Sequence, residues 1–248
     1  MAPLNEVSSS QTPEEYLRLA LEAKTPDERA RFAAMGLDTA EDVEPDTEWL
    51  LLRQVYLAHV AAHRFRTAAD VAEQMAGLGG PLKDVAHHDG SRALAAIGDT
   101  SGAIAEQRMA ARSAPPARRS FQGWALGTLL QFDGDHVGAA SALRRAERWA
   151  SEDRPLIRAH RAWVELEAGE AAAGLDEVLA DLEGSPARKG YGELVLGMLR
   201  YQLGDLRQAA GHLRTFLRRN ASADAAKVAT LREELRRART VLAEIESV

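Results

Sequence analysis

The sequence predicts an all-α fold: an α-solenoid of about six helix pairs, closed by a long C-terminal capping helix. Three observations carry this expectation. Alanine supplies 47 of the 248 residues and aromatics only 5%, a composition that favours helices packed at short distance. A Gly-acid dipeptide recurs at Gly98-Asp99, Gly134-Asp135, Gly169-Glu170 and Gly204-Asp205, at spacings of 36, 35 and 35 residues. A small residue follows five positions after each glycine, at Ala103, Ala139, Gly174 and Ala209. A fixed period of this length marks stacked supersecondary units.

Residues 1–11 show no pattern and contain three consecutive serines; they read as a disordered tail. The repeat array follows over 12–221. Thr12-Pro-Glu-Glu15 and Thr25-Pro-Asp-Glu28 each place a Thr cap before Pro at the first helical position, with Glu three residues after the cap, so two helices start there. Extending the period backwards puts turns at His63, with Ala68 five residues on, and at Thr25, with Ala30. Residues 37–47 are acidic, contain Pro45 and read as a loop. Around each glycine the pattern is helix, turn, helix. Leu194–Leu203 is apolar at helical spacing, Gly204-Asp205 turns, and Leu206–Leu217 is helical again, because glycine tolerates the left-handed conformation that ends a helix. Pro81, Pro115-Pro116, Pro155 and Pro186 punctuate the ends of second helices.

Residues 222–248 are expected to form the capping helix. Asp224–Val248 lacks Pro and Gly, and Val228, Leu231, Leu235, Ala238, Leu242 and Ile245 form one apolar stripe. The stripe suits a cap over the open end of the array. Its other reading is a coiled-coil dimer seam.

Composition excludes several classes. There is no cysteine, which removes disulfide frameworks, thiol nucleophiles and cysteine-ligated metals. No apolar run approaches the ~20 residues that span a bilayer, and Met1-Ala-Pro-Leu-Asn-Glu does not resemble a secretion signal. The expectation is a cytoplasmic protein without membrane contact. The net charge of −6 opposes broad attraction to nucleic acid. The charge is uneven: residues 1–50 hold twelve acids and four bases, and residues 214–239 eight bases and three acids.

Motifs that carry chemistry are absent, so no catalytic residue, metal site or cofactor is expected. There is no phosphate-binding glycine loop, no HExxH and no nucleophile elbow. His59 and His63 lie one helical turn apart and His87-His88-Asp89 is adjacent in type, but the repeat places the two groups at different ends of neighbouring helices. The acids at 38–48 lack the spacing of a calcium loop. Arg232, Arg236, Arg237 and Arg239 make one side of the last helix basic without an accompanying aromatic motif.

The repeat resembles the tetratricopeptide repeat (TPR). Residues 190–221 match best, with Leu196-Gly197, Leu203-Gly204-Asp205, Ala209 and Leu213; residues 120–151 are close, with Leu126-Gly127, Gly134-Asp135, Ala139, Leu143 and Ala146. His63 and Thr25 replace the turn glycine in the first two units. The resemblance implies a right-handed solenoid and a concave groove lined by five positions of each first helix. Carried onto this sequence, those positions gather Phe121, Trp124, Phe132, Trp163, Leu166, Tyr191, Leu194, Met198 and Tyr201, with Arg53 and Arg92 nearer the N-terminus. Six of the thirteen aromatics fall there, and a contiguous aromatic surface marks a binding face. The two-carboxylate clamp that some members use for chaperone tails is missing, since Leu57 stands where the resemblance asks for Asn. The implied function is a non-enzymatic scaffold or adaptor that binds another protein's apolar peptide or amphipathic helix. Alternatives are a homo-oligomeric structural protein joined by the last helix or the charged ends, and a small-molecule sensor.

Overall fold

The computed structural model describes residues 11–39, 43–171, 174–223 and 225–247. Six helix pairs follow one another: α1 (Pro13–Glu22) with α2 (Pro26–Asp38), α3 (Pro45–Ala61) with α4 (Phe65–Gly77), and α5 (Lys83–Ala96) with α6 (Thr100–Ser113). The second half holds α7 (Arg119–Asp133) with α8 (His136–Trp149), α9 (Arg154–Glu167) with α10 (Leu175–Gly184), and α11 (Tyr191–Gln202) with α12 (Leu206–Asn220). Two further helices, α13 (Ala225–Thr230) and α14 (Arg232–Glu246), close the chain. Consecutive helices pack on each other through the array, giving an all-α solenoid. The tail at 1–10 lies outside the described residues.

Local chemistry explains the helix boundaries. Thr12 and Thr25 both form reciprocal capping boxes, with Glu15 and Glu28 as the returning side chains. The Gly-acid dipeptide does two jobs in one turn. Gly98, Gly134 and Gly204 adopt φ of 82°, 88° and 77° to leave the first helix. The aspartate that follows then caps the second, accepting from the backbone N–H of Gly102, Gly138 and Gln208 respectively. His63 occupies the same turn position at φ 59°, the sole non-glycine residue with positive φ among the described residues.

Small residues sit where the period puts them. Ala68, Ala103, Ala139 and Ala209 are fully buried. The close crossing continues one step earlier on the first helix: a Cβ at Gly127 would lie 2.6 Å from Leu143 Cγ, and one at Gly197 2.6 Å from Leu213 Cδ2. The fifth pair departs from the pattern. α10 begins at Leu175, and Gly174 is an exposed left-handed residue ahead of it, without a side-chain cap, instead of a buried contact. Ala30 is only half-buried.

Two other expectations change. The loop at 37–47 is shorter than its composition suggests. Leu37 and Asp38 end α2, and Pro45 opens α3 as a first-turn proline behind the Glu44 cap. The last segment is not one continuous helix, for Leu231 leaves helical geometry at φ −106°, ψ 18°. The break lets α13 touch α3 and α5 while α14 packs on α11 and α12.

Polar pairs lock successive units. Asp84 is fully buried and takes two bonds from the Arg118 guanidinium, at 2.8 and 2.7 Å, plus one from Gln122. These partners hold its carboxyl below the usual range against the opposing effect of burial. Gln107 donates to Gln122 beneath them.

Candidate functional site

The groove residues expected from the repeat come together, and the chain's own C-terminal helix lies on them. Trp163, Leu194 and Met198 share one core cluster with Leu235, Ala238 and Val241 of α14; Trp124, Phe132, Leu166, Tyr191 and Tyr201 pack against the same cluster half-buried. The face is thus covered by the chain's own helix. Trp163 and Leu194 have no exposed surface and Met198 5%, enclosed by a cluster to which α9, α10, α11, α12 and α14 all contribute. Phe121 stays 45% exposed, edge-on to His88 and tilted against Trp124.

The two arginines separate. Arg53 is engaged internally: it pairs with the buried Asp89 at 3.4 Å and lies over the Trp49 ring. Arg92 is exposed. Arg53 is therefore not free to select a partner's acidic residue in this arrangement, whereas Arg92 is.

Under the aromatics runs a chain of polar contacts that the sequence reading did not single out. The Trp124 indole N–H donates to His160 Nδ1 at 2.9 Å. His160 Nε2 meets Gln131 Oε1 at 2.7 Å, and Gln131 Nε2 donates to Glu167 at 2.8 Å. Arg237 of α14 reaches Glu167 at 3.0 Å and covers the Phe132 ring. His160 stacks on Trp163 with ring centroids 5.2 Å apart. Burial pushes His160 down to about 3, reinforced by the Arg237 charge, so the imidazole is neutral. With Trp124 donating to Nδ1, the proton sits on Nε2. Gln131 and Glu167 lie on the same two helices, α7 and α9, as the expected groove residues Trp124 and Trp163. Nothing in the sequence pattern marked Arg237 as their partner.

No protein-family model matches the chain, and no curated protein matches it. Among solved structures it is similar to a chain of one described as "Structure of Naa15/Naa10 bound to HypK-THB", at 14% sequence identity and a TM-score of 0.42, with 89% of this chain and 33% of that chain covered. The chain thus spans about a third of that neighbour's length.

Further along α14, Glu234 is buried and faces Tyr191. Burial pushes its carboxyl up to about 7, and burial likewise holds the Tyr191 hydroxyl well above its ordinary range. Tyr201 donates to Glu244 at 2.7 Å, and Arg214 pairs with Glu246. These contacts hold the C-terminal end of α14. Its apolar residues Leu235, Ala238 and Val241 are turned inward, so the stripe, whose other reading was a dimer seam, is used within the chain. Among the described residues, no group of three or more His, Asp or Glu side chains is placed to hold a metal ion, and no helix is long and apolar enough to cross a membrane.

Proposed function

We propose that the chain is a non-enzymatic protein-interaction scaffold whose concave groove takes an amphipathic helix, and that α14 is the resident occupant a partner helix replaces. One observation carries this reading. α14 meets the groove as a helical ligand meets a receptor, with Leu235, Ala238 and Val241 entering the aromatic cluster and Arg237 pairing with Glu167 at its rim. A partner helix of this class presents apolar residues three apart and one base beside them. Its contact set is Trp124, Phe132, Trp163, Leu166, Tyr191, Leu194, Met198 and Tyr201, with Phe121 and Arg92 at the exposed margin.

Val241→Asp in the full chain tests this by weakening the resident helix. A labelled peptide spanning 231–247 then binds the variant saturably and leaves the wild type alone, while the variant keeps its helicity. A variant that retains its fold and ignores the peptide contradicts the reading. So does one that loses cooperative unfolding altogether, since α14 is then a fixed part of the core.

A further inference from the structure

On another side of the array, a cleft of about 440 Å³ opens between α6 and α8. α7 supplies its apolar floor through Gly123, Leu126 and Leu130, while the residues α7 turns toward the C-terminal segment are Thr128, Leu129 and Phe132. The cleft is therefore distinct from the groove.

Its lining is unusual in charge. Arg108 and Arg112 enter from α6, Arg119 from α7 and Arg145 from α8. All four are exposed, and none joins an ion pair among the described residues. The sole acid in the lining is Asp135, whose carboxylate is already committed to the Gly138 backbone N–H at 2.8 Å. Four guanidiniums converging on one space repel each other, and an anion placed among them removes that cost. The planar fork of arginine suits phosphate oxygens two at a time. Trp149 borders the same cleft, 53% exposed, with the Arg119 guanidinium 4.7 Å from its ring centroid. An exposed indole beside a cationic cleft offers a stacking surface for a planar ring. The volume is that of a small-molecule site and suits a compact ligand better than a run of acidic peptide.

We propose that this cleft binds a nucleotide: phosphates among Arg108, Arg112 and Arg145, and the base against Trp149. It is independent of what the concave groove binds.

Calorimetric titration of the full chain with ATP, tripolyphosphate, adenosine and a ten-residue glutamate peptide tests it at constant ionic strength. ATP is expected to bind saturably and tighter than tripolyphosphate, with adenosine weakest. Arg108→Gln with Arg145→Gln, both exposed positions, should weaken ATP at least tenfold. Trp149→Ala should weaken ATP while leaving tripolyphosphate unchanged, which separates the ring contact from charge. Absence of saturable ATP binding overturns the proposal. Equal binding of ATP and tripolyphosphate with a silent Trp149→Ala variant overturns the nucleotide class, and tighter binding of the glutamate peptide than of ATP makes the cleft a protein-binding site instead.

Discussion

The Trp124 indole N–H donates to Nδ1 of His160, 2.9 Å away, and so fixes which nitrogen of a fully buried imidazole carries the proton. Every later member donates onward in the same sense: His160 to Gln131, Gln131 to Glu167, with Arg237 closing on Glu167 from α14. Protonating His160 sets two donors face to face, which agrees with a pKa pushed down to about 3.

Trp124→Phe keeps most of the ring and deletes the donor. His160 Nδ1 is then a buried acceptor without its partner, a loss of about 1–3 kcal/mol. Urea unfolding at pH 7 measures it, and unchanged stability shows that the bond contributes nothing.

Glu234 makes docking of α14 pH-dependent. Its pKa rises from 4.5 to about 7 on burial, so the folded chain holds its proton more tightly than the unfolded one. The favourable contribution is complete below about 4.5, fades as pH rises to about 7, and then stays flat; linkage puts the range at roughly 3 kcal/mol. Tyr191, Glu233 and Arg237 are the titratable groups facing it. His160 acts oppositely, supporting the fold above its unfolded value and losing that support as pH falls toward 3, but it is common to wild type and variant. The stability gained by Glu234→Gln over wild type should therefore widen from pH 5 to pH 8. A constant difference rules the linkage out.

The helix crossings make a paired prediction. Gly127→Ala and Gly197→Ala each drive a methyl into a leucine at 2.6 Å, at an expected cost of about 1–3 kcal/mol. Gly211→Ala, inside α12 with nothing within 4 Å of its Cβ, should gain about 0.5–1 kcal/mol. Thermal unfolding of the three variants separates close contact from helix propensity, and a loss at Gly211 equal to the others would sink the distinction.

His63 holds a turn conformation that glycine holds in the later pairs. His63→Gly should relieve roughly 1–2 kcal/mol of left-handed strain, less what the freer unfolded chain takes back and the edge contact with Phe65 supplies. A clear destabilisation shows that the ring contact outweighs the strain.

Much of the fold was legible because its signals are local. Gly134-Asp135 writes a left-handed exit and a helix cap into two adjacent residues, and Thr25-Pro-Asp-Glu28 writes a capping box into four. The same local grammar failed after Gly169-Glu170, where α10 starts only at Leu175 and Gly174 is exposed. The inner-face positions of α7, α9 and α11 followed from the repeat, since Trp124, Trp163 and Met198 do lie together. Their cover did not. Leu235, Ala238 and Val241 form a stripe compatible with a cap, a dimer seam or a groove ligand, and only the break at Leu231 with the long-range pair Arg237–Glu167 decides where it lies. The arginine cleft was illegible for the same reason, because Arg108 and Arg145 lie 37 residues apart on separate helices.

Native-state hydrogen exchange tests the central claim, that α14 is an occupant of the groove instead of part of its wall. The account predicts that amides from Leu235 to Val241 exchange through a partial opening, roughly 2 kcal/mol easier than that exposing α11 around Leu194–Leu199. Exchange of both segments at one common free energy, at every denaturant concentration, would contradict it.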